Sequence, residues 1–404
     1  MPIPRLAARA VVATLVAVVF SSFVFASSGQ AAGTSAAAVA SATEASVLPF
    51  LNQQLSSYTS DYRRGTWGDN QDPGCWACDN GGPATAAATA YVLGGRSNQA
   101  LLTDAEQTIN TAIASRQSAS GGFVGPPGNG QSQDITTMFF GVEFGAVYYL
   151  LNSDIPPAMK SSWQRSLAAA AEYLIDSGAT TWYCNGNINL GYTEFLWMVW
   201  HATGDTKFLT AYNASWDFTT NPPQSRFPRS GWVTVKAPTK ADGSDGAGYF
   251  TESGPDGSGY DTEYSMLQLD VASRLYLLSG DARALRVANM LINMEMRRVN
   301  IRTWMLDTSD GTRHTEADRY VGFQTSAFAV LGLHAGRSDL LQYVMPQLEM
   351  EESWYPQTGQ ANAPGFRRAF GNSVSVIALA AAVSDSALRR ATLRLPSLGH
   401  LVRR

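Results

Sequence analysis

The chain is poor in the side chains that most often hold metals or form redox centres. Among 404 residues there are three cysteines and four histidines. Cys75 and Cys78 have no histidine near them, which argues against zinc. The thioredoxin-like strand pattern that a C-x-x-C redox centre needs is absent. Charged residues make up only 15% of the chain and the net charge is −4, which argues against general nucleic-acid affinity. There is no P-loop, no GxGxxG in context and no Ser-His-Asp motif, so nucleotide and esterase chemistry lack support. The Asp-rich loop Asp242–Asp256 offers oxygen ligands but lacks EF-hand spacing. No metal and no cofactor is expected.

What the chain has is apolar residues, at 45%, and aromatics, with ten Trp and sixteen Tyr. Residues 1–33 read as a secretory signal: Arg5 and Arg9, then the apolar run Val11–Phe25, then small residues. The rival, a membrane anchor, needs a longer run, and no later stretch is long and apolar enough to span. The expected location is therefore extracellular, with no membrane contact after cleavage. Residues 34–45 are Ala/Ser/Thr-rich and read as a disordered leader. The tail 386–404 carries Arg389, Arg390, Arg394, Arg403 and Arg404 and reads as a solvated end. For a secreted chain the favoured thiol arrangement is one disulfide, Cys184 to Cys75 or Cys78. A local Cys75–Cys78 bridge and three free thiols are the alternatives.

Residues 46–385 repeat one pattern. Tight turns fall at Gly94-Gly95, Asn152-Ser153, Gly204-Asp205, Gly280-Asp281, Gly336-Arg337 and Ser384-Asp385. Glycine at such a point suits a helix that ends in a left-handed residue. The turns recur about every 55 residues, with one longer gap, as expected of αα-hairpin repeats. Incoming helices are expected near 84–94, 135–151, 190–203, 262–279, 319–335 and 372–384. Outgoing ones are expected near 99–117, 157–177, 206–219, 282–298 and 337–349. Incoming runs such as Phe195–Trp200 are apolar throughout and read as buried, while Ala284–Arg298 is amphipathic and suits an outer layer. The predicted fold is all-α: an (α/α)6 toroid of helical hairpins with the long loops on one face. An open solenoid is the runner-up.

Those long loops carry the residues a sugar site would use. Flat rings stack on pyranose faces, while Asn, Asp and Arg bond hydroxyls and carboxylates. The binding candidates are Trp67, Trp76, Asp79, Trp182, Tyr183, Asn185, Asn187, Trp354 and Arg367. Trp197 and Trp200, inside a helix, read as core. His201 and His334 sit beside tight turns and read as structural, which leaves His314 as the histidine of the loop face. The stretch Asp242–Asp281 stands out. Its glycine-rich first half reads as an unpacked loop that delivers Glu252 and Tyr260 to a helix start. Asp261 or Thr262 caps that helix, with Glu263 in the first turn and Tyr264 next to it.

The Asn-rich run Trp182–Asn189, the DGSG-Y run Asp256–Tyr260 and the hairpins of residues 47–384 together resemble the secreted (α/α)-toroid polysaccharide lyases, the chondroitin/hyaluronan, alginate and heparinase-like group. The chain differs from many of them in having no histidine between His201 and His314 and no large β-sheet domain. The resemblance implies β-elimination on a uronate-containing polysaccharide. It assigns Asn189 with His314 or Arg319 to neutralise the uronate carboxylate, and Tyr260 to move the proton; Tyr264, one helical turn from Asp261, is the substitute for Tyr260. The alternative is a toroid glycoside hydrolase using two carboxylates from Asp79, Glu252, Asp261, Glu263 and Glu316. A non-catalytic carbohydrate-binding protein is the third possibility. In each case the partner is a polysaccharide or oligosaccharide.

Overall fold

The structure is a computed structural model and describes residues 76–344, apart from 126, 129, 255, 256, 304, 316–318 and 321–323. The signal, the leader, the basic tail, the sixth incoming helix expected near 372–384, Trp67, Trp354, Arg367, Asp256 and Glu316 all lie outside the described residues. So do the side chains of Trp76, Asp79 and Arg319.

Helices pair in sequence as antiparallel hairpins: α1 (Trp76–Leu93) with α2 (Gln99–Arg116), α3 (Gln133–Leu151) with α4 (Pro157–Asp176), α5 (Gly186–Thr203) with α6 (Thr206–Thr220), α7 (Thr262–Ser279) with α8 (Ala282–Glu295), and α9 (Gln324–His334) with the short α10 (Ser338–Leu341). The odd-numbered helices also pack on one another in order, α1 on α3, α3 on α5, α5 on α7 and α7 on α9. They form an inner layer and the even-numbered helices an outer one, the arrangement of an (α/α) toroid. No helix among the described residues is long and apolar enough to cross a membrane.

The sequence explains the layering. Every residue of α3 from Thr136 to Leu151 except the partly buried Phe139 is buried, as an inner helix requires. In α2 only the stripe Leu102, Ala105, Thr108, Ile109 and Ala112 is buried. Small residues let the inner helices approach: a Cβ on Gly141 would lie 2.6 Å from the Phe195 ring, and one on Gly145 would lie 2.5 Å from Met198 Sδ. Gly204 and Gly280 end α5 and α7 at φ 73° and 69°, and Asp205 and Asp281 then cap the next helices through their side chains. The short turns meet at one end, where the Tyr148 hydroxyl donates to Ala202 O and the Tyr276 hydroxyl to His334 O. The long connections meet at the other, where Gly186 N donates to Thr251 O and Thr312 N to Tyr260 O.

Several sequence expectations are corrected. The helix α1 begins at Trp76, so Trp76 and Asp79 belong to a helix and not to the first loop. Asn187 and Asn189 fall inside α5, with Asn185 as its N-cap residue. Arg319 and Tyr320 form a short strand and do not start the fifth inner helix. The glycine-rich stretch is built, not unpacked. Strand β1 (Trp232–Lys236) pairs with β2 (Ala247–Phe250), and β3 (Glu252–Gly254) pairs with β4 (Gly257–Gly259). Phe250 is fully buried there, its ring 4.8 Å from that of Trp232. Cys184 carries a free thiol, which removes its disulfide to Cys75 or Cys78. His201 and Trp197 are structural as expected, with rings stacked 5.2 Å apart.

Candidate functional site

The inner helices all begin on the face of the long connections, so their first turns surround one mouth. Asp134 lies in the first turn of α3, Asn187 in that of α5, and Glu263 and Tyr264 in that of α7. Helical spacing then carries one face of α7 inward from Glu263 through Leu267 and Asp270 to Arg274. A cleft of about 60 Å³ lies between α3, α5 and α7, lined by Met138, Glu143, Asn187, Gly191, Asp270 and Arg274 among others.

The floor of that cleft is ionic. Arg274 is forked onto Glu194, with Nε 2.6 Å from Oε1 and Nη2 2.8 Å from Oε2. Its Nη1 lies 3.4 Å from Glu143 Oε1 and 3.8 Å from Asp270 Oδ2. Thr85 donates to the other Glu143 oxygen at 2.5 Å. One guanidinium thus faces three carboxylates. Burial pushes the Glu194 carboxyl up to about 7, against the pull of Arg274. Burial alone would lower the Arg274 pKa, but Glu194 and its neighbours outweigh it and hold the guanidinium charged. Asn187 faces the same cleft. Its backbone N–H donates to Glu252 and its side-chain oxygen accepts from Ile188 N, while its amide NH₂ meets no partner among the described residues.

The rim is organised by Asp261. One of its carboxylate oxygens accepts from the backbone N–H groups of Arg313 and His314. The other accepts from Tyr264 N and lies 3.0 Å from His314 Nδ1. Burial works to raise this carboxyl, but the His314 bond and the backbone donors outweigh it and hold it below the usual range. The opposite ring nitrogen of His314 lies 3.4 Å from Glu263 Oε2. Arg313 is exposed, with its guanidinium 4.9 Å from the Tyr264 ring.

The remaining sequence candidates divide. Glu252 is wholly buried and accepts from Asn185 Nδ2, Asn187 N and Gln268 Nε2, so it braces α5 against α7; burial pushes it up to about 7 despite those donors. Asn189 is buried and its amide donates to Tyr183 O. Tyr260 is buried, and its hydroxyl donates to Glu295 Oε1 at 2.8 Å. Burial, and then the neighbouring carboxylate, raise the pKa of that phenol far above its ordinary value. Burial raises Tyr264 as well. Neither phenol is primed to lose a proton. Tyr183 donates to Asp134 at 2.7 Å, and Trp182 stands 63% exposed. Glu143, Glu194, Asp270 and Arg274 escaped the sequence reading. Their signal was charge inside otherwise apolar helical runs, where such residues survive only when paired. Among the described residues no three His, Cys, Asp or Glu side chains gather as metal ligands would.

No family model matches the chain, and no curated protein sequence matches it. Solved structures superpose on it distantly. A D-mannose isomerase does so with a TM-score of 0.47 at 14% identity, over 68% of this chain and 74% of that one. A family 76 glycoside hydrolase (mannosidase) from Bacteroides thetaiotaomicron gives 0.47 at 13%, over 83% and 98%. A mutant unsaturated glucuronyl hydrolase from Streptococcus agalactiae gives 0.44 at 13%, over 85% and 92%. At such distances these likenesses say nothing of what this chain binds or does.

Proposed function

We propose that the protein is a glycoside hydrolase acting on a uronate-containing saccharide, with the bond cleaved in the axial cleft by Glu143 and Asp270. The observation that carries this is their shared partner, Arg274 Nη1, 3.4 Å from one and 3.8 Å from the other. Sharing it keeps the nearer oxygens of the two carboxylates no more than roughly 7 Å apart, an upper limit that admits the spacing of about 5–5.5 Å found in retaining pairs. Three buried carboxylates share this guanidinium, and burial raises one of them, Glu194, to about 7. One carboxyl of the pair then protonates the leaving oxygen as the C–O bond breaks, and the other accepts a proton from the water that adds to the anomeric carbon. The Asn187 amide is placed for a sugar hydroxyl. Arg313 at the rim is placed for the uronate carboxylate.

The lyase assignment is less well supported than its alternative. β-Elimination needs a base for the C5 proton and a donor or cation at the carboxylate. Tyr260 is committed to Glu295, and the Asn189 amide to the Tyr183 carbonyl. Substituting the pair tests the proposal. Asp270→Asn and Glu143→Gln should each lower kcat by about 10²–10⁴-fold, with substrate affinity changed only a few-fold. Wild-type turnover in both variants would end it. Binding of saccharide without cleavage by the wild type would favour a non-catalytic binding protein.

A further inference from the structure

Trp182 is the most exposed large apolar side chain among the described residues. It follows a turn of 3₁₀ helix (Ala179–Thr181) that links α4 to α5, one residue before Tyr183, which bonds Asp134 at the mouth. Its indole is fixed. The Arg226 guanidinium lies 4.7 Å from its ring and 4.7 Å from that of Phe227, and Arg226 Nη1 donates to Thr181 O. Phe227 is held in turn by an edge contact with Phe218 at 5.8 Å. A cation wedged between two rings holds the indole upright and leaves its other side to solvent. Among the described residues the indole N–H has no hydrogen-bond partner, and neither Arg226 nor its exposed neighbour Arg229 forms an ion pair.

We propose that Trp182 and Arg226 form a distal subsite for an acidic polysaccharide chain that also enters the axial cleft. The subsite rests on the carbohydrate reading of that cleft and names its substrate as a polymer carrying carboxylates beyond the cleaved unit. A pyranose ring stacks on the open indole face, a ring hydroxyl accepts from the indole N–H, and a uronate carboxylate meets Arg226 or Arg229. Phe227 and Thr181 hold Arg226 in place for this and do not touch the sugar.

Affinity electrophoresis in gels containing polygalacturonate, alginate or neutral dextran tests the subsite without requiring cleavage, with thermal melting as the control for folding. Trp182→Ala should weaken retention on at least one acidic polymer about tenfold. Trp182→Phe should recover much of the loss, and Arg226→Ala should weaken retention on the acidic polymer but not on dextran. Retention unchanged in Trp182→Ala, or wild-type protein retained by neither acidic polymer, overturns the proposal. A retention loss matched by a large fall in melting temperature for both Trp182 variants also overturns it, since Trp182 would then be structural. These outcomes stay separate from the cleavage reading, whose failure shows as undiminished turnover in both Asp270→Asn and Glu143→Gln.

Discussion

Glu295 offers a sharp test of how burial shapes this molecule. It is fully buried at the end of α8, one oxygen accepts from the Tyr260 hydroxyl, and the other has no hydrogen-bond partner among the described residues. Burial pushes its pKa up to about 8, more than Arg298 nearby can offset. Below the unfolded value near 4.5 the group is protonated in both states and costs nothing. Between that value and about 8 the unfolded chain releases the proton while the folded one keeps it, so stability falls as pH rises. Above 8 the penalty is complete, at most about 5 kcal/mol from a shift of this size. Glu295→Gln keeps an acceptor for Tyr260 and cannot ionise. Urea melts at pH 5 and pH 9 should show the variant close to wild type at the lower pH and more stable at the higher. Equal destabilisation at both values would refute the reasoning.

Two further outcomes follow from the same network logic. Arg274→Met leaves Glu143, Glu194 and Asp270 without their cation and should cost about 3–5 kcal/mol, with the larger loss at alkaline pH, measured by denaturant titration. Tyr260→Phe removes one hydroxyl that faces Glu295 and not the cleft; it should keep near wild-type kcat on any cleaved substrate, and loss of all turnover would return attention to proton abstraction by this phenol.

Much of the fold was legible because the hairpins announce themselves. The uniformly apolar runs of α3 and α5 and the left-handed glycines at 204 and 280 place helices and turns within a few residues. The start of α1 was hidden by Gly81-Gly82-Pro83, which reads as a break. Gly81 serves close packing instead, since a Cβ there would lie 2.5 Å from Glu143 Cβ. The rim was partly legible: Asp261, Glu263, Tyr264 and His314 do converge. Glu252 and Tyr260 were found as chemistry-bearing residues, but the sequence could not say that the loop carrying them folds inward and buries both. The floor was missed because Glu143, Glu194, Asp270 and Arg274 come from three different helices. Only their placement in space turns isolated charges into a network.

The most direct measurement is a crystal structure of the Asp270→Asn variant soaked with a uronate-containing oligosaccharide. The account predicts a glycosidic oxygen lodged in the axial cleft between Glu143 and residue 270, with a uronate near Arg313. An oligosaccharide bound only elsewhere, for instance in the outer groove between Gln117, Tyr173 and Asp176, would contradict it.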